Sequence, residues 1–218
     1  MKLKIGLLSV GCAVLLASVS TIHGAIGVSN LATTSSGTAF VGDAGDFEFA
    51  LGQGFTTGPD GGDYTLSSIT VRLISRTGSP ADIIVALYDD NSGQPGSLLE
   101  TLTGAASPST AGDYAYTLGS GFALTSDATY YVVLSAPGSP TNTSYALDDT
   151  ARYSQTGLIG WDISDGVNVA FNGGAWSLNN TRVLKLQVDV TAVPEPSTYA
   201  LICGVALLGF TAWRRRAA

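Results

Sequence analysis

Between its two apolar ends the chain has no cysteine and no histidine. Cys12 and Cys203 lie in hydrophobic stretches at opposite ends of the 218 residues, and the single histidine, His23, closes the first stretch. A disulfide framework, a thiolate nucleophile and a cysteine-based zinc site are therefore excluded from the central part. So are a Ser-His-Asp triad, a His-ligated metal and a His general base. Any catalysis would have to rest on carboxylates, Tyr, Lys or Arg. Basic residues are scarce as well. Of the 10 Lys and Arg, Lys2, Lys4, Arg214, Arg215 and Arg216 sit in the ends. Arg72, Arg76, Arg152, Arg182 and Lys185 are left to face 17 acidic residues, a formal charge of −12. A surface of that sign repels nucleic acid and anionic membrane, suits solubility outside the cell, and can attract divalent cations.

What the ends contain is a pair of sorting signals. Met1-Lys2-Leu3-Lys4 is a basic start, Ile5 to Val19 is uncharged and apolar, and small residues follow. This is the pattern of a secretory signal peptide cut between Ser20 and Ala25, although His23-Gly24-Ala25 is an imperfect small-x-small site; the alternative is an uncleaved anchor. At the other end, Val193-Pro194-Glu195-Pro196-Ser197 precedes an uncharged run from Tyr199 to Trp213 and then Arg214-Arg215-Arg216. A spanning helix needs roughly 20 apolar residues, with a lower limit of about 17. Adding Ser197 and Thr198 brings the run to that limit, so the span is marginal. The arginines belong on the cytoplasmic side by the positive-inside bias, which leaves the rest of the chain outside. Pro194 and Pro196 favour an extended segment that a processing enzyme can grip.

The Pro-Glu-Pro motif, apolar helix and arginine stop together resemble the PEP-CTERM domain, which marks bacterial proteins for recognition by an exosortase, a membrane transpeptidase-like enzyme. The resemblance implies Sec export, transient residence in the inner membrane through the C-terminal helix, exosortase processing, and a final place at the cell surface or in an exopolysaccharide matrix. The alternative is a plain C-terminal anchor that is never cut. The expected organisation is a signal peptide at 1–25, one domain at 26–192 and a sorting signal at 193–218.

The central region reads as a β protein, with turn clusters between short apolar segments rich in Val, Ile, Leu, Tyr and Phe. Ser68 to Ile74 alternates with period two, placing Ile69, Val71 and Leu73 on one face. Asp82 to Tyr88 and Tyr130 to Leu134 are continuous apolar runs, as expected of strands covered on both sides. Val183 to Val190 alternates, and weaker strands are expected at 47–55, 98–103, 114–118, 143–147 and 174–178. No helical stripe competes outside the ends. The expectation is one antiparallel β-sandwich of jelly-roll or immunoglobulin-like topology.

Several segments carry candidate chemistry. Asp89-Asp90-Asn91 opens a turn running to Gly96 and offers calcium-type oxygen ligands. The EF-hand spacing is absent, however, and Asn-Ser-Gly and Pro-Gly are ordinary turn chemistry. Asp148-Asp149 and Asp162 to Gly166 are similar in kind. Asp43, Asp46 and Glu48 could supply a carboxylate pair for a glycoside hydrolase, which would need two acids facing each other across a cleft. Trp161 and Trp176, with Tyr145, Tyr153 and Phe171, are candidates for a sugar-stacking platform, against the simpler reading of core aromatics.

The runs LGQGFTTG (Leu51 to Gly58), LSSITVRLIS (Leu66 to Ser75), IVALYDDNSGQPGSLLETLTG (Ile84 to Gly104) and FALTSDATYYVVLSA (Phe122 to Ala136) resemble the choice-of-anchor R domain. That resemblance covers most of Gly42 to Val190 and implies an extracellular domain of unassigned activity, with no catalytic residue to transfer. The expected role is a non-catalytic structural or binding module without a required cofactor. A carbohydrate-binding module, with or without calcium, is the alternative, and a carboxylate-based hydrolase a further one.

Overall fold

The structure is a computed structural model that describes residues 24–43, 45, 47–151, 154–193, 204, 207, 208 and 214. The expected leader core, the Pro-Glu-Pro segment and most of the apolar tail lie outside the described residues. Among those described, no helix is long and apolar enough to cross a membrane. The strands belong to one compact unit, Ile22–Pro194.

That unit is all-β. In chain order the strands are β1 (Gly24–Ser29), β2 (Gly37–Asp43), β3 (Glu48–Thr56), β4 (Tyr64–Thr77), β5 (Ile84–Asp90), β6 (Pro95–Leu102), β7 (Gly112–Ala123), β8 (Thr129–Ser135), β9 (Thr143–Thr150), β10 (Thr156–Gly157), β11 (Asp162–Phe171), β12 (Trp176–Asn179), β13 (Val183–Leu184) and β14 (Leu186–Ala192). All pairings are antiparallel, along the path β10-β1-β14-β4-β9-β2-β3-β8-β5-β6. β11 adds to β3, and β12 adds to β11.

The path folds back on itself at two corners. β4 pairs with β14 and β7 through its first part, then passes to β9 from Leu73 onward. β2 lies along all of β9 but meets β3 only at Gly42↔Phe49 and Asp43↔Glu48. The result is a sandwich with β10, β1, β14, β4 and β7 in one layer. The other layer holds β12, β11, β3, β8, β5 and β6. An isolated bridge, Thr103↔Thr117, ties the far edge of the second layer back to β7. Apart from that bridge, β6, β7, β10 and β12 each pair with one strand, so their outer edges stay open.

The core lies between the layers and follows the period-two pattern. Ile69, Val71 and Leu73 of β4 are buried with Val188 and Val190 of β14; Leu51, Phe55, Leu87, Val132, Leu134 and Ile163 come from the other layer. All of Tyr130 to Leu134 is buried, so β8 is covered on both faces, as its unbroken apolar run implied.

Three buried polar clamps replace the cross-links that this domain lacks. Asn30 donates from Nδ2 to the Leu184 carbonyl and accepts from the Leu186 amide at Oδ1, spanning the break between β13 and β14. Gln53, wholly buried, accepts from the Leu184 amide and donates to the Ser164 and Gly166 carbonyls at 2.8 and 3.1 Å. At Lys185, between the two strands, Nζ lies 3.1 Å from the Asp148 carboxylate and donates to Ser35 Oγ, which itself donates to Asp148 at 2.7 Å.

Candidate functional site

Among the described residues, two of the concave places lie where strand pairing is interrupted and carry polar groups. The first follows from the short contact between β2 and β3. Gly42 takes a positive φ of 100°, and a Cβ there would lie 2.9 Å from the Thr143 carbonyl oxygen, so glycine is required where β2 turns away. Beyond this point β2 and the β3–β11 pair diverge and leave a cleft of 270 Å³. Leu51 and Val167 line it, with Phe40, Phe49 and Phe171, and Asn179 and Arg182 supply polar groups. Phe49 and Phe171 are direct cross-strand partners with ring centroids 5.1 Å apart at 66°. Phe47 closes on both, at 6.5 and 6.1 Å, edge to face. These pairs are in the favoured aromatic geometry. Even so, Phe47, Phe171 and Phe40 remain 52%, 44% and 42% exposed. Exposed aromatics gathered in one patch mark an interaction surface more often than scattered apolar residues do.

Arg182 is held beside this cleft by the Thr38 carbonyl and by Asp149, whose Oδ2 lies 2.9 Å from Nη1. Burial raises the pKa of the Asp149 carboxyl, while Arg182 pulls in the opposite direction.

The second place lies between the β5–β6 turn and β11. Pairing of β11 with β3 is interrupted between Ile163 and Val167, and Ser164, Asp165 and Gly166 bulge out. Gln53 secures that bulge from beneath. The β5–β6 turn folds across the outer face of the same layer. It fits because β3 offers Gly52 there: a Cβ on Gly52 would meet Pro95 Cγ at 2.6 Å. Asn168 Nδ2 donates to the Gly93 carbonyl at 3.3 Å, and Gln94 Nε2 donates to the Trp176 carbonyl at 3.4 Å.

The residues singled out from the sequence are distributed as follows. Asp89 accepts from the Ser97 amide, and Asp90 accepts from the Gly93 amide at 2.8 Å, while the Asn91 amide donates to the Gln94 carbonyl. Both carboxylates thus brace their own turn, and Asp89-Asp90-Asn91 do not converge on one point. Among the described residues no group of three or more His, Cys, Asp or Glu could hold a metal ion.

Trp161 is 4% exposed; its indole N–H donates to Asp60 at 3.1 Å and its ring meets Tyr64 edge to face. Its faces are not available for stacking, because Gly27 admits the ring against β1: a Cβ there would lie 2.7 Å from the indole. Trp176 is half-buried beside the β5–β6 turn, so the two tryptophans form no common platform. Tyr145 is a core residue, Phe171 belongs to the phenylalanine patch, and Tyr153 lies outside the described residues.

Asp43 and Glu48 face each other across the β2–β3 corner, and Asp43 accepts from the Asn142 amide; Asp46 is outside the described residues. In the sorting segment Val193 is exposed and its amide donates to the Asp63 carbonyl. Arg214 is exposed, and Pro194, Glu195, Pro196, Ser197, Arg215 and Arg216 are outside the described residues. The phenylalanine cleft was missed in sequence because Phe40, Phe47 and Phe49 lie in a glycine-rich stretch whose pairing sets which side each ring takes. The available signal was density: three of the seven phenylalanines fall within ten residues.

The molecule is thus an all-β sandwich, cysteine-free between its ends, with a sorting signal behind it. Residues 192–216 match the model of the PEP-CTERM protein-sorting motif. The chain carries that motif, which implies recognition by an exosortase, export, and a membrane-anchored intermediate before release. A search among curated proteins finds no match.

Proposed function

We propose that the chain is an exported bacterial surface or matrix protein whose sandwich works without catalysis, as a structural or binding module delivered by exosortase processing. The observation that carries this reading is the sorting motif directly behind a single β domain. The absence of cysteine and histidine between the ends supports a non-catalytic role, as does the likeness of residues 42–190 to choice-of-anchor R domains. The test is the intact mass of the exported form from an exosortase-bearing host. A C-terminus between Pro194 and Ser197 is expected. Retention of Arg216 would make the tail a permanent anchor and refute processing.

A second reading, carbohydrate binding, is favoured by the phenylalanine cleft. Sugar rings present C–H faces that pack on exposed aromatic rings, and Arg182 and Asn179 offer hydrogen-bonding groups at its polar side. The ligand class would be a neutral or acidic exopolysaccharide. Retardation in polysaccharide-containing native gels is expected, with loss in Phe47→Ser and Phe171→Ser. Equal mobility of the native protein with and without polysaccharide would leave the structural role alone.

A further inference from the structure

We infer that Asn172, in the turn between β11 and β12, is a site of spontaneous covalent modification. The Gly173 amide nitrogen displaces ammonia from the Asn172 side chain, and water opens the resulting ring to aspartate or isoaspartate.

The shape of the turn selects the reactive pair. The Gly174 amide donates to the Phe171 carbonyl at 2.8 Å, so Asn172 and Gly173 are its two central residues. Both take positive φ, 51° and 67°, the backbone of a type I′ turn. Asn-Gly is a preferred pair for that turn, because both positions need the left-handed region. Asn172 is also the one asparagine of the chain that precedes a glycine. The attacking nitrogen therefore has no side chain beside it, and a Cβ built on Gly173 would meet nothing within 4 Å.

The groups that react are placed accordingly. The Asn172 and Gly174 amides make the backbone bonds at the turn, while the Gly173 amide makes none among the described residues, so the nucleophile is uncommitted. The Glu48 amide donates to Asn172 Oδ1 at 2.8 Å. That oxygen gathers negative charge as Cγ is attacked, and a donor already aimed at it favours the step. Asn172 is exposed, so ammonia departs into solvent. Ring closure needs the Asn172–Gly173 peptide to rotate. An exposed turn held by few backbone bonds opens locally, and glycine tolerates either sign of φ.

The atoms balance without an oxidant or reductant. The bond from Gly173 N to Asn172 Cγ forms, the Cγ–Nδ2 bond breaks, and the Gly173 amide proton leaves with ammonia. Solvent water then adds at Cγ, giving aspartate, or at the Asn172 main-chain carbonyl carbon, giving isoaspartate. Asn142 supplies the contrast. It is exposed with φ 61°, but the β-branched Thr143 follows it, and the Thr143 amide already donates to the Pro140 carbonyl at 3.1 Å.

Either product adds a carboxylate beside Glu48 and Phe171, at the rim of the phenylalanine cleft. Aspartate keeps the acceptor for the Glu48 amide. Isoaspartate instead lengthens the main chain within a two-residue turn, next to the point where Phe171 pairs with Phe49.

The test incubates the full-length chain in detergent at mildly alkaline pH, with a parallel sample unfolded in guanidinium chloride. Each asparagine is followed by peptide mass spectrometry. In the folded protein Asn172 is expected to gain the mass of one deamidation before any other asparagine, with isoaspartate detected by isoaspartyl methyltransferase labelling. A more acidic band should grow in step on isoelectric focusing. Asn172→Gln, which would have to close a larger ring, should not form that band while its circular dichroism spectrum confirms folding. An unchanged Asn172 in folded protein, with deamidation in the unfolded sample, would overturn the site by showing that the turn protects it. Earlier modification at Asn91, Asn142 or Asn180, or an undiminished acidic band in Asn172→Gln, would overturn it as well.

Discussion

Replacing Lys185 by Met tests how the sandwich holds together without cross-links. Lys185 and Asp148 are 2% and 3% exposed at their side chains, with nitrogen and oxygen 3.1 Å apart. The geometry is uneven. Asp148 Oδ2 receives both the ammonium and the Ser35 hydroxyl, while Oδ1 has no partner. Removing the lysine leaves a buried carboxylate with a single neutral donor. Breaking such a pair from one side costs about 3–5 kcal/mol.

The assay is urea denaturation at pH 7, followed by the fluorescence of Trp161, whose buried indole changes environment on unfolding. Lys185→Met is expected to lower the unfolding free energy by about 4 kcal/mol. The double variant Lys185→Met, Asp148→Leu removes both charges and should recover to within about 1 kcal/mol of the native protein, or exceed it. A single variant that loses less than about 1 kcal/mol would refute the reasoning, because it would mean that water solvates Asp148 after all.

Four further outcomes follow from individual contacts. Gln53→Leu orphans the Leu184 amide and the Ser164 and Gly166 carbonyls together, and should cost about 3 kcal/mol or more in the same urea assay. Gly52→Ala drives a methyl group against the Pro95 ring, so limited proteolysis should cut between Asn91 and Gln94 faster than in the native protein. Arg72 holds the Asp113 carboxyl below its ordinary value of 3.8 through paired hydrogen bonds of 2.6 and 2.8 Å. A depressed folded value contributes stability above 3.8 that is lost as pH falls below it, so Arg72→Gln should flatten the acid limb of a stability–pH curve. Finally, β1 pairs from its first residue, Gly24↔Thr191 and Ala25↔Val190. Leader cleavage is therefore expected upstream of Gly24, and the N-terminal mass of the exported protein checks it.

Strand composition was the most legible feature, and register the least. β4, β5 and β8 stood out because their apolar residues alternate or run unbroken, and both patterns come directly from which faces are covered. Val183 to Val190 read as one strand but divides at Lys185, where Asn30 and Gln53 side chains take over hydrogen bonds that a continuous ladder would make. β11 was hidden because its first half, Asp162 to Gly166, has turn composition; the structure uses those residues as a bulge inside a strand. β2 was hidden for a related reason, since glycines bracket its short apolar centre. The acidic turn at Asp89 and Asp90 was visible as a segment. Its relation to Asp165 and Asn168 was not, because it depends on which strand lies beside β3. Trp161 could not be told from a surface aromatic in sequence, since the cavity for its ring is made by a glycine, Gly27, in a strand that pairs from the opposite end of the chain.

The two surface features are not independent of the core, and β13 is the reason. Gln53 takes the Leu184 amide with its oxygen and the carbonyls of the β11 bulge with its nitrogen, so one side chain sets both β13 and the bulge that carries Asp165. β13 pairs Val183 and Leu184 with Thr150 and Asp149. Arg182, immediately before it, binds Asp149 and reaches the phenylalanine cleft. A disulfide-bonded domain could anchor such loops covalently. Here the same work falls to amide side chains and two ion pairs, Arg182–Asp149 and Lys185–Asp148, clustered around a two-residue strand. Disturbing Gln53 should therefore loosen the cleft and the acidic cavity together, whereas Phe171→Ser and Asp165→Asn should each affect one alone. Sites more than about 7–10 Å apart that share no partner change independently, so coupling through Gln53 and independence between Phe171 and Asp165 are separable by a double-mutant cycle.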